Sequence, residues 1–500
     1  MRSTIRSTRA PSVGHQQLRR RSALMTLVTS SLVFAAFALP AFAGSQATGA
    51  LSDVYRQIRA DKVAATGKGV QIALIDTGVV DVPGLRYSNV IIGPDFSFED
   101  QFPELRGRDT NGHGTHLAGI MVAADAAWVR GDHRYLDGRV LGIAPDAQLV
   151  SIKVGAANGA ADVTQVIAAI NWVIEHKDDS GFHIRVINLA YGTDGTQDYR
   201  VDPLAYAVER AWRAGIVVVV AGGNDGANSA LNNPAMDPYV IAVGGAEAGK
   251  GWQEALAEFS SGGTGSRGVD IVAPGKSIIS LRDPGSFSDL TNEAGRIGDW
   301  LVRGTGTSQA SAVVSAAVAL MLEVNPAMTP DQVKAALMEG GDKIKTDSTA
   351  ARYLNVAAAL KVHLGESSQT WELSTGTGSI AAARGSYVVS LDGSALLGEV
   401  DIFGNSWTGS SWTVDSWTGN SWTGNSWTGS SWTGNSWTGN SWTGNSWTGN
   451  SWTGNSWTGS SWTGNSWTGS SWTGNSWTGS SWTGNSWTGS SWTGNSWTGL

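Results

Sequence analysis

Val70-Gln71-Ile72-Ala73-Leu74-Ile75 is a short, mostly apolar run, preceded by Gly67 and Gly69 and closed by Asp76-Thr77-Gly78. A run of this length and composition, bounded by turn residues, reads as a buried strand of a parallel sheet. Its carboxyl end carries a carboxylate, and open α/β sheets place their sites at the carboxyl ends of strands. The chain continues in the same manner. Gln148 to Val154 and Ile184 to Leu189 read as strands, as do the valine-rich Ile216 to Val220 and Tyr239 to Val243. Between them, Asp162 to His176 and Pro203 to Arg213 read as helices. Thr329-Pro330-Asp331 opens a late helix with an N-cap threonine and a proline at its first position. This alternation predicts an α/β fold: a mostly parallel sheet with helices on both faces.

Two further segments supply groups that complement Asp76. His113 stands between Gly112 and Gly114 and opens a small-residue and apolar helix that includes His116. Ser308 follows Gly304-Thr305-Gly306-Thr307 and begins an apolar helix, Gln309 to Leu322. A serine hydroxyl is a weak nucleophile until an imidazole takes its proton and a buried carboxylate orients that imidazole. A serine in the first turn of a helix also lies near unpaired N–H groups that favour developing negative charge. The valine-rich strand ends in Ala221-Gly222-Gly223-Asn224, and an asparagine amide can donate to an oxyanion. Each residue has an ordinary alternative. Asp76 can cap a turn, Ser308 can cap a helix, Asn224 can be a turn residue, and His113 with His116 can bind a metal. Asp-Thr-Gly also suits an aspartic protease, whose chemistry needs two carboxylates sharing a proton.

In this order and these surroundings, Asp76, His113, Asn224 and Ser308 resemble the site of the subtilisin-like serine proteases, the subtilases. The likeness runs over about residues 55–362, with Ala60 to Gly69, Gly142-Ile143-Ala144-Pro145, Val186 to Leu189 and Val272-Ala273-Pro274-Gly275 as further matches. It implies the subtilisin-like three-layer fold and an Asp-His-Ser triad acting through an acyl-enzyme. Asp76 would orient His113, His113 would be general base and then acid, and Ser308 would attack. Asn224 would donate to the oxyanion beside the Ser308 N–H. Ala190, Tyr191 and Gly192, with Ala221, Gly222 and Gly223, would flank the primary specificity pocket and pair with an extended peptide as an added strand. The chain departs from the family pattern in two places. It has Ala190-Tyr191-Gly192 where Ser-Leu-Gly is usual, and Ser308-Gln309-Ala310-Ser311-Ala312 where Ser-Met-Ala-x-Pro is usual. Without the proline the nucleophile helix should be more regular. The chemistry requires no cofactor. Many subtilases bind calcium, but no ligands are assigned, and the metal site is unknown.

Residues 1–43 read as a signal peptide: six arginines and no acid, an apolar run from Leu24 to Leu39, then Ala41-Phe42-Ala43. Arg19-Arg20-Arg21 permits a twin-arginine (Tat) export route. Removing this leader leaves 28 basic against 42 acidic side chains, a net charge near −14. That balance argues against nucleic acid or an anionic membrane surface as partner. With no cysteine, an exported protein draws its stability from its core. About two dozen residues separate Ala43 from the first strand, too few for a folded pro-domain. The enzyme is therefore expected to fold unaided or before export. The peptidase domain is expected at 44–365 as a monomer, with a surface insertion at Ala124 to Arg139.

Beyond it, 366–403 reads as a linker followed by a small β segment around Ser386 to Gly393. From 404 to 500 the chain repeats Ser-Trp-Thr-Gly-Asn or Ser-Trp-Thr-Gly-Ser, with nineteen tryptophans at every fifth position from Trp407 to Trp497. Glycine, asparagine, serine and threonine oppose helix. Two forms remain open, a β-solenoid or a disordered tail. Four tryptophans per layer argue against an ordinary narrow quadrilateral coil. Such indoles can stack on sugar rings, so a cell-wall or extracellular polysaccharide is an expected partner. The leading function is an exported serine endopeptidase acting on polypeptides, secreted or held at the cell surface. The alternative is an inactive surface or glycan-binding protein in which the repeat is the functional part.

Overall fold

The computed structural model describes residues 49–402, apart from 86–88, 125–140, 249–254, 266, 345–350, 364, 366 and 392–393. It also describes the backbone of 412–419, 422–479, 482–489 and 492–499. The leader and nearly all of the insertion expected at 124–139 lie outside the described residues.

A nine-stranded sheet carries the body. In chain order its strands are β1 Gln71–Asp76, β2 Val90–Asp95, β3 Gln148–Lys153, β4 Ile184–Leu189, β5 Val217–Ala221, β6 Ile241–Glu247, β7 Ile271–Lys276, β8 Asp342–Lys343 and β9 Arg352–Tyr353. Across the sheet the order is β8-β9-β7-β6-β5-β4-β1-β3-β2. Every pair is parallel except β8 with β9. Strand β1 is buried along its whole length and lies between β3 and β4, where the strand order reverses. Asp76 therefore ends a central strand at a topological switch point, where a crevice opens.

The helices are α1 Leu51–Gln57, α2 His113–Val122, α3 Val163–His176, α4 Pro203–Arg213, the short α5 Phe287–Thr291, α6 Thr307–Val324 and α7 Pro330–Gly340. Local chemistry sets their starts. Asp162 and Gln165 form a capping box on α3, and Thr329 and Gln332 form one on α7 with Pro330 behind it. Asp202 caps α4, with Pro203 at its first position. Helices α2 and α6 pack on each other and α6 on β7 and β6, while α3 and α4 pack together against β1 and β5. Helix α6 is long and apolar enough to cross a membrane, but 89% of it is buried inside the body. It is apolar on all sides because the sheet and α2 surround it.

Two segments differ from expectation. Strand β6 begins at Ile241 rather than Tyr239, because the Asp237 carboxylate accepts the Tyr239 N–H at 2.8 Å and holds it in a turn. Residues 367–378, expected as a linker, are laid along the body. Ser374 N–H donates to Glu209, Thr375 N–H to the Arg200 carbonyl at 2.8 Å, and the Tyr239 hydroxyl to the Trp371 carbonyl at 2.7 Å. The small β segment forms as Ser390–Leu391 paired antiparallel with Ser394–Ala395.

In the repeat, strands pair in parallel at an offset of twenty residues: Trp412 with Trp432, Trp462 with Trp482, Trp472 with Trp492. That offset equals four pentapeptides. The register places each residue type over its own kind, and an unvarying pentapeptide satisfies that stacking at any whole number of repeats.

Candidate active site

Asp76 is 2% exposed at the end of β1, and its Oδ1 accepts His113 Nδ1 at 2.8 Å and the Thr77 N–H at 2.8 Å. Its Oδ2 is buried with no hydrogen-bond partner among the described residues. The imidazole reaches the carboxylate because α2 starts at His113 and runs close against the β1 turn. A Cβ on Gly114 would lie 2.1 Å from the Gly78 carbonyl oxygen, so only glycine permits that approach.

Behind this pair sits Asp109, which the sequence reading passed over. Its Oδ1 accepts the Thr77 hydroxyl and the Gly112 N–H, each at 2.7 Å, and its Oδ2 accepts the Thr115 N–H at 2.7 Å. The Thr77 oxygen also lies 3.2 Å from Asp76, but its one proton goes to the nearer Asp109. The Gly114 N–H then donates to Thr77 at 3.0 Å. Asp109 thus ties the Asp76 turn to the first turn of the His113 helix. An aspartate four residues before a histidine has no distinguishing mark in a sequence, since aspartate is common in turns.

Burial favours the neutral form of His113, but the charge and hydrogen bond of Asp76 and the charge of Asp109 outweigh it and raise its pKa. A general base works when unprotonated. The rate should therefore climb with pH through a midpoint above the usual histidine value of about 6.5. Asp109→Asn removes one of the two supporting charges, so the midpoint of kcat/KM should move to lower pH. A pH profile that leaves it in place or moves it up contradicts this assignment.

His116 is not poised as a second base: burial and the neighbouring His113 push its pKa down to about 3, so it stays neutral. Among the described residues no group of three or more His, Cys, Asp or Glu side chains could hold a metal ion. The aspartic-protease reading also fails on placement. The other matching tripeptide, Asp179-Ser180-Gly181, precedes β4, at the opposite edge of the sheet from Asp76.

Ser308 is the second residue of α6, which runs unbroken to Val324, as expected without the proline. The Gly306 N–H donates to the Gly275 carbonyl at 2.9 Å, so the end of β7 sets where α6 begins. Asn224 follows β5 and is oriented by α6. Its Oδ1 accepts the Thr307 N–H at 2.8 Å and lies 3.1 Å from the Thr307 hydroxyl. With Oδ1 facing two donors, the NH2 group must point the other way. Neither Asn224 Nδ2 nor the Ser308 N–H has an acceptor among the described residues. If Asn224 donates to the oxyanion, Asn224→Ala should lower kcat by about 10²–10³ with little change in KM, the range for loss of one such donor. A proportionate rise in KM at constant kcat would exclude the oxyanion role.

His113, Asn224 and Ser308 line one cleft. Its outer wall is the segment around α5, which sequence reading did not single out. The Phe287 and Ser288 N–H groups donate to the carbonyls of Thr110 and Asn111, which fixes this wall against the His113 turn. Within it, Asp289 accepts from Arg282 and Arg296 and is held below the usual carboxylate range, chiefly by the Arg282 hydrogen bond.

The other candidate residues lie at the ends of β4, which is beside β1, and of β5, the strand beyond it. Ala190, Tyr191 and Gly192 continue β4, while Ala221 ends β5 and Gly222 and Gly223 continue it. Asn232 and Asn233 join the two segments: the Asn232 N–H donates to the Gly222 carbonyl, and Asn233 exchanges backbone bonds with Thr193. Tyr191 is 4% exposed, so its ring packs into the body beside the pocket. Burial, followed by the Asp162 charge, raises its phenol well above the usual tyrosine value.

A carboxylate-held imidazole, a serine in the first turn of a helix and a pre-aimed amide, at the carboxyl edge of a parallel sheet, define a serine hydrolase of the subtilisin-like class. Comparison with known proteins agrees. The profile of the subtilase family matches residues 67–354. The serine protease AprX of Bacillus subtilis is 38% identical over 293 residues, which are 56% of this chain and 63% of AprX. Subtilisin DY of Bacillus licheniformis is 32% identical over 283 residues, 55% of this chain and 86% of that protein. Among solved structures, that of a cold adapted subtilisin-like serine proteinase matches with 25% identity, covering 58% of this chain and 90% of that one, at a TM-score of 0.45. The chain belongs to the subtilase family of serine peptidases.

Proposed function

We propose that the protein is an exported serine endopeptidase that cleaves polypeptides through Asp76, His113 and Ser308. Ser308 Oγ attacks the scissile carbonyl carbon as His113 Nε2 takes its proton. The oxyanion is met by the Ser308 N–H and Asn224 Nδ2. The C–N bond then breaks, and His113 gives the proton to the leaving amine. Water repeats the sequence on the acyl-enzyme, with His113 again as base, and releases the acid. Asp76 accepts the Nδ1–H throughout and holds the ring in place. The substrate backbone pairs with Ala190–Gly192, and its side chain before the scissile bond enters beside Ala221–Gly223. This cycle calls for no cofactor. A structural calcium would be recognised by a fall in Tm on chelation.

The observation that carries this reading is the Asp76–His113 bond at 2.8 Å on the Nδ1 side, which turns Nε2 away from Asp76, with His113 and Ser308 lining the same cleft. The test is labelling by an active-site serine phosphonate. Wild type should react and Ser308→Ala should not. If wild type also fails, the reading passes to an inactive protein whose repeat is the functional part.

Two parts of the proposal concern placement. The leader, 1–43, would export the protein by the Tat route, and strictly Sec-dependent export of a reporter fused to residues 1–50 would sink that. The tryptophan repeat would hold the enzyme on a cell-wall or extracellular polysaccharide, supported by indole spacing that repeats every five residues. Full-length protein that insoluble glycans do not retain would remove it.

A further inference from the structure

The cleft beside Ser308 holds acceptors that the protein itself leaves unmet. Asp283 lines it together with His113 and Ser308, in the outer wall just before α5. The residue is half-buried, and its carboxylate has no hydrogen bond or ion pair among the described residues. Gln309, the neighbour of Ser308 on α6, lines the same cleft. It is 5% exposed, and its Oε1 is buried without a partner among the described residues. Buried acceptors in this state call for a ligand that brings donors.

The donors nearby are already used. Arg282 gives Nε and Nη2 to Asp289 and Nη1 to the Asp299 carbonyl. Arg296 gives Nε to the Asp289 carboxylate and Nη2 to its backbone carbonyl. The Ser286 hydroxyl donates to the Asp283 carbonyl at 2.8 Å and the Ser288 hydroxyl to Asn111 Oδ1 at 3.1 Å, so neither has a proton left for the cleft. Arg303, on the strand Leu301–Gly304, also lines the cleft but is exposed, with its charge in water. Burial, followed by the charge of Asp109, pushes the Asp283 carboxyl up to about 7. Asp289 adds to that push, while Arg108 and Arg282 oppose it.

In the proposed cycle the acyl half of the substrate lies along Ala190–Gly192 and Ala221–Gly223, none of which lines this cleft. His113, which hands its proton to the leaving amine, does line it. The wall is bonded to Thr110 and Asn111, directly before the His113 turn. The cleft is therefore placed to receive the chain that follows the scissile bond.

We propose that Asp283 is a specificity residue for this leaving half, and that with Gln309 Oε1 it receives a cationic side chain, lysine or arginine, shortly after the scissile bond. The proposal rests on the peptidase reading above. An ammonium or guanidinium brings several donors and no acceptor, so one such group meets both Asp283 and Gln309. Its bond to a carboxylate is charge-assisted, and partial burial strengthens it.

The test uses full-length protein and fluorogenic peptides that share every residue before the scissile bond. The first, second and third residues after it are replaced in turn by lysine, norleucine or glutamate. Norleucine keeps the lysine stem without its charge. At about pH 8.5, lysine at one of these positions should raise kcat/KM over norleucine about tenfold, the size of a hydrogen bond to a charged group. At about pH 6, with the Asp283 carboxyl protonated, that ratio should fall toward one. The titration of His113 acts on both peptides alike and cancels. Asp283→Asn should bring the ratio near one at both pH values, and Asp283→Glu should keep a preference for lysine. The ratio is read on one enzyme sample, so a general loss of activity also cancels. If neither variant folds, the wild-type pH dependence decides, and a ratio that does not fall at the lower pH overturns the proposal. A wild-type ratio near one at all three positions overturns it too, as does a ratio that Asp283→Asn leaves unchanged. So does a preference for glutamate, which would make Arg303 the reader of the leaving half. A wild type that neither labels with the phosphonate nor cleaves any of these peptides would instead remove the peptidase reading itself.

Discussion

Ser308→Ala is expected to lower kcat for peptide hydrolysis by about 10⁶, the size of the loss when a subtilisin triad loses its serine. The reason is chemical rather than structural. Ser308 is 7% exposed in the second position of α6, and its hydroxyl holds no neighbour in place. Alanine there costs the helix nothing. What disappears is the hydroxyl that forms the acyl-enzyme in the proposed mechanism. The oxyanion donors and the substrate-binding edge survive, so residual hydrolysis above water should persist and KM should change little. The measurement is single-turnover hydrolysis of a fluorogenic peptide beside thermal unfolding. A matching loss of Tm would mean that the drop reflects damage to the fold. A loss below about tenfold would mean that another residue is the nucleophile.

Asp76→Asn should cost about 10⁴ in kcat, because the amide reverses the tautomer of His113. In the native site Asp76 Oδ1 accepts the Nδ1 proton, which makes Nε2 the base in the proposed cycle. His113 Nδ1 and the Thr77 N–H share Oδ1, so an asparagine whose NH2 group faces that position donates to Nδ1 and forgoes the Thr77 bond. The proton then sits on Nε2, where it cannot serve as base. The same substitution removes the charge that most raises the His113 pKa. With that charge gone, burial favours the neutral ring. The midpoint of any remaining activity should therefore shift to lower pH, in the same direction as in Asp109→Asn and further. A larger shift in Asp109→Asn than in Asp76→Asn would mean that Asp109, not Asp76, carries most of the electrostatic support.

Much of the site was legible because its residues stand where periodic elements begin or end. Asp76 closes an apolar run, His113 and Ser308 open apolar helices, and Asn224 follows a valine run. Such boundaries are written in local composition. Asp109 was not legible, since its role depends on which N–H groups surround it after folding. Arg384, whose guanidinium donates to Asp162, was hidden for a similar reason. It lies 222 residues from Asp162, in a segment whose composition reads as a linker and small β piece. Thr307 would pass as an ordinary helix-start residue until its contact with Asn224 gives that amide a direction.

The alternating strand and helix pattern, the order of the four chemical groups and the five-residue period of the tail all follow from the chain read alone, because hydrophobic period and turn chemistry act over a few residues. Which groups meet was settled by packing. The sheet order puts Asp76 at a crevice between β3 and β4, α6 aims Asn224, and Arg384 reaches back to Asp162. Those contacts join residues tens to hundreds of positions apart, and nothing in either partner's neighbourhood specifies the other.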